Sequence, residues 1–240
     1  MANPTASMIV IGDEILSGRT RDSNMHHLAK ELTKVGIDLR EVRVVSDERE
    51  AIVGAVTALA AETTHVFTSG GIGPTHDDIT ADCVAAAFGA HIDIREDAYA
   101  LLAAHYERQG AEFNAARQRM ARIPDGAVLI ENPVSIAPGF ALENVYVMAG
   151  VPAVFEAMVA SVLPTLTGGA PLLSQNLRIE RGEGEIAGPL AALATEYSDL
   201  SIGSYPFQKN GIYGANIVIR GQDGARVDAA MSKLAEMFPA

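Results

Sequence analysis

The chemistry-bearing residues are densest in Ser69-Gly70-Gly71-Ile72-Gly73-Pro74-Thr75-His76-Asp77-Asp78-Ile79-Thr80. Three glycines in four positions allow positive φ and bring bare backbone N–H groups close to a ligand. Where such a run opens onto a helix, unpaired amides and the helix dipole favour an anion. Asp77 and Asp78 would repel a phosphate held there, and a divalent cation bridging acid and phosphate resolves the conflict most simply. The first expectation is therefore a phosphate-bearing ligand held partly through metal.

Other acids and turns fall where the same ligand would meet them. In open parallel sheets, ligands bind outside the carboxyl ends of strands. Gly12-Asp13-Glu14 follows an apolar run, Met8-Ile9-Val10-Ile11, that has the pattern of a strand buried on both faces. Asp47 follows Ile37–Val45, a second strand, and the glycine run follows a third, His65–Thr68. Ala137-Pro138-Gly139 and Ala149-Gly150-Val151-Pro152 adjoin later strands. Each position also has a purely structural explanation. Thr75 and Asp78 resemble a capping box. Asp77 and Asp78 are also ordinary helix-dipole partners, though the glycine run beside them favours a metal or general-base role. Asp47 could cap a helix as readily as act in catalysis.

Arg19 and Arg21 are placed to lend positive charge, or are solvated surface residues. Of the six histidines none shows metal-ligand spacing, and His76 is the one set beside the glycines. No Gly-x-Ser-x-Gly elbow, Walker lysine or Cys-x-x-Cys is present, so elbow hydrolases, P-loop NTPases and dithiol redox enzymes lack support.

The elements that position these residues alternate. Helical patterns cover Asp22–Val35, closed by Gly36, then Glu48–Ala61 and Asp77–Phe88, between the three strands. Further helices are expected over Glu96–Gln109, Asn114–Ala121 and Ala153–Val162, with strands at Ala127–Ile130 and Val145–Met148. The order predicts an α/β fold, a mostly parallel sheet with helices on both faces. A turn-rich linker, Pro164 to Pro171, separates residues 1–166 from residues 172–240. The latter carry a β-α-β-β-α order: Leu173–Glu180, Glu185–Tyr197, Ser201–Tyr205, Asn216–Arg220 and Val227–Met237. That order fits a small α+β domain, ferredoxin-like or KH-like.

Composition bounds the rest. Of the 240 residues, 48% are hydrophobic and 20% are charged, which is ordinary for a soluble globular protein. A net charge of -12 argues against a sequence-independent nucleic-acid binder, while leaving room for a nucleotide ligand. The single cysteine, Cys83, lies in an Ala-rich helical stretch and is expected as a small core residue. With no leader-like opening and no bilayer-length apolar run, a cytoplasmic setting without membrane partners is expected.

Four segments together resemble the molybdopterin-binding (MoaB/Mog-type) domain family. They are Gly12-Asp13-Glu14-Ile15-Leu16-Ser17-Gly18 with Asp22 and Asn24; Val45-Ser46-Asp47; Gly70 through Thr80; and Asn132 through Phe140. Similarity is greatest to the N-terminal region of CinA-type proteins and the related region of eukaryotic FAD synthases. Ser135 and Ala149 stand where CinA-type proteins usually have glycine and proline, and the form around Ser135 resembles the FAD-synthase branch. The amidase activity of longer CinA proteins does not carry over.

The resemblance implies a three-layer α/β/α domain that binds a pterin or a dinucleotide diphosphate, followed by the KH-like domain. It implies Asp78 and Asp47 as catalytic residues, and Asp77, Asp78 and Asp13 as ligands of Mg²⁺ or Co²⁺. The ligand-binding set would be Gly12, Asp13, Glu14, Gly70, Gly71, Gly73, Pro74, Thr75, Pro138 and Gly139, with Gly71, Gly73 and Thr75 cradling phosphate. The leading expectation is a metal-dependent pyrophosphohydrolase of ADP-ribose or FAD, working as a homo-oligomer. The alternatives are a molybdopterin-binding or adenylyl-transferring protein, and a non-catalytic nucleotide-binding module.

Overall fold

The computed structural model describes residues 3–209 and 211–239. Residues 1, 2, 210 and 240, which fall inside the two expected domain spans, lie outside the described residues. The chain divides into two compact units, Met1–Gly169 and Ala170–Ala240.

The first unit begins β1 (Thr5–Ile11), α1 (Asp13–Leu16), α2 (Asn24–Lys34), β2 (Asp38–Val45), α3 (Arg49–Glu62), β3 (His65–Ser69) and α4 (Thr80–Phe88). It continues with β4 (Ile92–Ile94), α5 (Glu96–Arg108), α6 (Ala115–Gln118), β5 (Arg122–Pro124), β6 (Val128–Ile130), β7 (Gly139–Leu142), β8 (Val145–Met148) and α7 (Pro152–Val162). Six strands form one sheet in the order β2-β1-β3-β8-β7-β6. The pairs among β2, β1, β3 and β8 are parallel, while β7 and β6 add an antiparallel edge. β4 and β5 form a separate two-stranded ribbon.

Alternation along β1 explains the layers. Ala6, Met8 and Val10 pack with Leu28 and Leu32 of α2 and with Phe155, Met158 and Val159 of α7. Ile9 and Ile11 face the other way, onto Ile52, Val56 and Leu59 of α3, Val84 of α4 and Leu102 of α5. A strand covered on both faces needs apolar side chains on both, which is why Met8-Ile9-Val10-Ile11 of β1 is a continuous hydrophobic run. The expected three-layer α/β/α fold is thus present. Helix α2 ends where Gly36 takes a left-handed turn at φ 68°, as glycine does after a helix. The Ile37 N–H then returns to the Leu32 carbonyl at 3.0 Å. Cys83 is buried in the core facing α3, and burial pushes its thiol up to about 11. It is therefore a packing residue at neutral pH.

The second unit is β9 (Leu173–Ile179), α8 (Glu183–Glu196), β10 (Ser201–Lys209), β11 (Ile212–Gly221) and α9 (Gly224–Met237). Its antiparallel sheet runs β10-β11-β9. Ala215, Ile217 and Ile219 of β11 pack with Ile186 and Leu193 of α8 and Val227, Ala230 and Leu234 of α9. It is an α+β layer with its own core.

Candidate functional site

The parallel strands deliver their carboxyl ends to one crevice. A cavity of about 670 Å³ is lined there by Gly12 and Glu14 after β1, Asp47 after β2, and Gly70 to Gly73, Asp77 and Asp78 after β3. Asn132, Ser135 and Ala137 close it from the segment before β7, and Ala149 to Val151 from the turn after β8.

The glycine segment is fixed from beneath. The Gly70 N–H donates to the Met148 carbonyl at 3.1 Å, and Thr80 Oγ1 donates to the Gly70 carbonyl at 3.0 Å. Gly71 has φ +69°, and an added Cβ would stand 2.1 Å from Thr80 Oγ1. Both the conformation and the space call for glycine there. Among the described residues, the amides of Gly71, Ile72 and Gly73 have no acceptor within the protein. Three fixed donors without acceptors along a cavity wall are what an oxyanion needs.

The acids are organised in two groups. Asp78 accepts through Oδ2 from the Thr75 amide at 2.8 Å and the Thr75 hydroxyl at 2.6 Å. This closed turn precedes the helix, which begins at Thr80 rather than at Asp77. Thr75 and Asp78 therefore do not cap α4, and neither Asp77 nor Asp78 lies in its first turn. On the other wall, Asp47 Oδ2 accepts from the Asp13 amide at 2.9 Å, which joins the ends of β1 and β2. Burial raises the Asp47 carboxyl above the usual range, and the charges of Asp13, Glu14 and Asp77 add to the rise against the lowering effect of the Asp13 amide. Both causes penalise the ionised form. The acids of both walls thus share one field.

Not every expected residue reaches the cavity. Asp13 is exposed and contributes its amide rather than its carboxylate. Pro74 and Thr75 are exposed outside the lining, Thr75 serving to orient Asp78. Pro138 lines a smaller recess behind the glycine segment. Gly139 is buried within β7, where a Cβ would meet the Val147 carbonyl oxygen at 2.3 Å, so sheet packing explains this glycine. Arg19 and Arg21 are exposed and line no part of the cavity, and the His76 side chain is 98% exposed.

Two contributors have roles that the sequence does not reveal. Asn24, at the start of α2, is buried and donates through Nδ2 to Ser69 Oγ at 2.7 Å and to the Gly150 carbonyl at 2.8 Å. It fastens the turn after β8 to the end of β3, and an added Cβ on Gly150 would lie 3.3 Å from Gly70 Cα. Arg119, between α6 and β5, donates to the Asp78 carbonyl at 3.4 Å.

Among the described residues, no group of three or more His, Cys, Asp or Glu is arranged to hold a metal by itself. The donor set still suits a hard cation. It is all oxygen, and its excess negative charge adds to burial in raising the Asp47 carboxyl. Mg²⁺ characteristically uses one or two carboxylates and completes its shell with water and phosphate oxygens. No helix among the described residues is long and apolar enough to cross a membrane.

Fold and crevice together define an α/β/α protein with an acid- and glycine-lined cavity at the carboxyl ends of its parallel strands. Residues 7–168 match the family model described as "Probable molybdopterin binding domain", and residues 171–240 match that of "FAD synthase, middle domain". The chain belongs to the molybdopterin-binding (MoaB/Mog-type) domain family. A CinA-like protein of Citrifermentans bemidjiense is 38% identical over 167 residues, 68% of this chain and 40% of that protein. A protein of Caenorhabditis elegans named "Probable FAD synthase" is 30% identical over 259 residues, 98% of this chain and 50% of that protein. The chain thus spans half or less of both relatives. The crystal structure of CinA from Thermoplasma acidophilum, described as of unknown function, superimposes with a TM-score of 0.63 at 35% identity, covering 68% of this chain and 97% of that one.

Proposed function

We propose that the first unit seats the diphosphate of a dinucleotide such as ADP-ribose or FAD and hydrolyses it with the help of Mg²⁺ or Co²⁺. One observation carries this reading: among the described residues, a single cavity is lined both by residues whose amides have no acceptor and by carboxylates that no lysine or arginine of the lining neutralises. A diphosphate with a divalent ion satisfies both sets at once, and either alone leaves one set unsatisfied.

The residues then take distinct roles. The amides of Gly71, Ile72 and Gly73 donate to the phosphate oxygens and stabilise the charge that grows on them as water attacks phosphorus. Asp47 has a raised proton affinity, which suits a general base. It takes the proton of that water while the bridging P–O bond breaks. Asp77 and Asp78 would hold the ion, with Glu14 facing them in place of the expected Asp13 carboxylate. When bound, the ion supplies the charge neutralisation that lets phosphate and carboxylate approach. Asn24 ties the end of β3, beneath the glycine segment, to the turn after β8. Assembly into a homo-oligomer belongs to the same reading, and light scattering on the purified chain tests it.

Incubation with ADP-ribose and with FAD, with and without Mg²⁺ or Co²⁺, should release AMP only with the ion. Absence of metal-dependent AMP from both substrates would overturn hydrolysis. A second reading, molybdopterin binding, draws on the family match and on the apolar part of the lining. Ile11, Ile72, Met120, Val151 and Val154 offer a surface for a flat ring. Tight pterin binding with no diphosphate cleavage would favour it.

A further inference from the structure

Among the described residues, the large cavity has no cationic side chain in its lining, although the ligand argued for it carries at least two negative charges. A guanidinium lies just behind the glycine segment. Arg119 lines a recess of about 20 Å³ whose walls include Gly71, Ile72, Gly73, Asp78 and Met120, all of which also line the large cavity. Such a volume holds about one water molecule, so the recess is a seam beside the main cavity rather than a ligand site of its own.

Arg122 lines the same seam, and the contrast between the two arginines is informative. Arg122 donates to the Asp82 carboxylate and is committed to that ion pair. Arg119 is exposed, and among the described residues its charged group reaches no carboxylate. Among the described residues the guanidinium makes one hydrogen bond, to the neutral Asp78 carbonyl at 3.4 Å, a long contact. A guanidinium so loosely held, at the edge of a wall of unpaired amides, exchanges a carbonyl for a phosphate oxygen with a large gain, because charge-assisted bonds are about twice as strong as neutral ones.

We infer that Arg119 is a phosphate-binding residue of this crevice, swinging from the Asp78 carbonyl onto the diphosphate that the glycine amides hold. The inference rests on the reading of the cavity as a diphosphate seat. It assigns the positive charge the lining lacks to a residue in a separate segment, so the anion would be gripped by backbone on one side and by a mobile guanidinium on the other.

The test uses α,β-methylene-ADP, whose P–C–P bridge resists hydrolysis, with adenosine as the phosphate-free control, both titrated calorimetrically in Mg²⁺. Arg119→Gln should bind α,β-methylene-ADP roughly 10- to 100-fold more weakly than the unaltered chain, the worth of one hydrogen bond to a charged group. Its adenosine affinity, whatever the value, should be unchanged. Arg119→Lys should recover part of the loss, because it keeps the charge without the fork. Equal binding of α,β-methylene-ADP by Arg119→Gln and the unaltered chain would overturn the inference while leaving the cavity reading intact. An equal loss for both ligands would overturn it too, by showing an effect on cavity shape. An unaltered chain that binds neither ligand would refute the diphosphate seat itself. The exposure of Arg119 makes misfolding of the variants unexpected, and a thermal melt verifies each one.

Discussion

The two walls of the crevice are built on opposite principles. The wall at the ends of β1 and β2 is a charge store: Asp47 is partly buried, tied to the Asp13 amide, and pushed up in proton affinity by burial and by neighbouring acids. The wall after β3 is a rigid backbone shelf, where Gly71 is locked over Thr80, three amides lack acceptors, and Asp78 is pinned by Thr75. On the shelf, negative charge is satisfied locally. At the store, it is left partly unsatisfied. A site that must hold both an anion and a cation needs both kinds of wall, and the difference says which variants should damage chemistry and which should damage structure.

The largest expected effect is on the shelf's acid. Asp78→Asn keeps an acceptor for Thr75 but loses the charge, so metal-dependent AMP release should fall roughly 10²- to 10³-fold with the melting temperature held. A variant with full activity would remove Asp78 from the chemistry. Next, Gly71→Ala must accommodate both a positive φ and a Cβ 2.1 Å from Thr80 Oγ1. It should cost about 2–4 kcal/mol in urea unfolding.

Gly73→Ala sharpens the point. It has no positive φ, and its Cβ would meet the Asp78 carboxylate at 2.7 Å, a side-chain end that moves only by loosening its exposed bonds from Thr75. Stability should change by less than about 1 kcal/mol while activity drops about tenfold. Equal stability losses for the two alanines would break the distinction between a locked and an adjustable glycine.

The smallest effect belongs to the charge store and has a defined sign. Asp47 holds its proton more tightly when folded than when unfolded, so its ionised form opposes folding at neutral pH. That opposition fades as pH falls through the raised folded value, and is absent below the ordinary carboxylate range. Asp47→Asn should therefore raise Tm at pH 7 by roughly 1–3 °C, a gain kept small by solvent screening, and should leave Tm unchanged near pH 3. Differential scanning calorimetry at the two pH values checks this. A destabilised variant at pH 7 would mean that the charge is already compensated.

Much of this arrangement is legible in the chain because burial on both faces leaves an unmistakable mark. β1 and β3 are short apolar runs that lead into glycine and acid, and the rule for parallel sheets then gathers Gly12, Glu14, Asp47, Gly70 to Gly73, Asp77 and Asp78 in one place. What escapes the sequence is non-local or local in a way that imitates something else. Asn24 acts through partners 45 and 126 residues away. Gly139 has the composition of a ligand turn, yet is small because β7 lies against the Val147 carbonyl. The Thr75–Asp78 pair copies a helix cap while closing a turn before the helix. Strand β10 continues through Pro206, where the pattern predicts a stop at Tyr205, because an edge strand tolerates a residue without an N–H donor.

The most direct measurement is a crystal structure of the chain soaked with ADP-ribose and Mg²⁺. The two phosphates should lie against the amides of Gly71, Ile72 and Gly73, with the ion between them and the carboxylates of Asp77 and Asp78. A nucleotide bound with its phosphates in solvent and its base on the glycine shelf, or bound at another surface, would contradict the account.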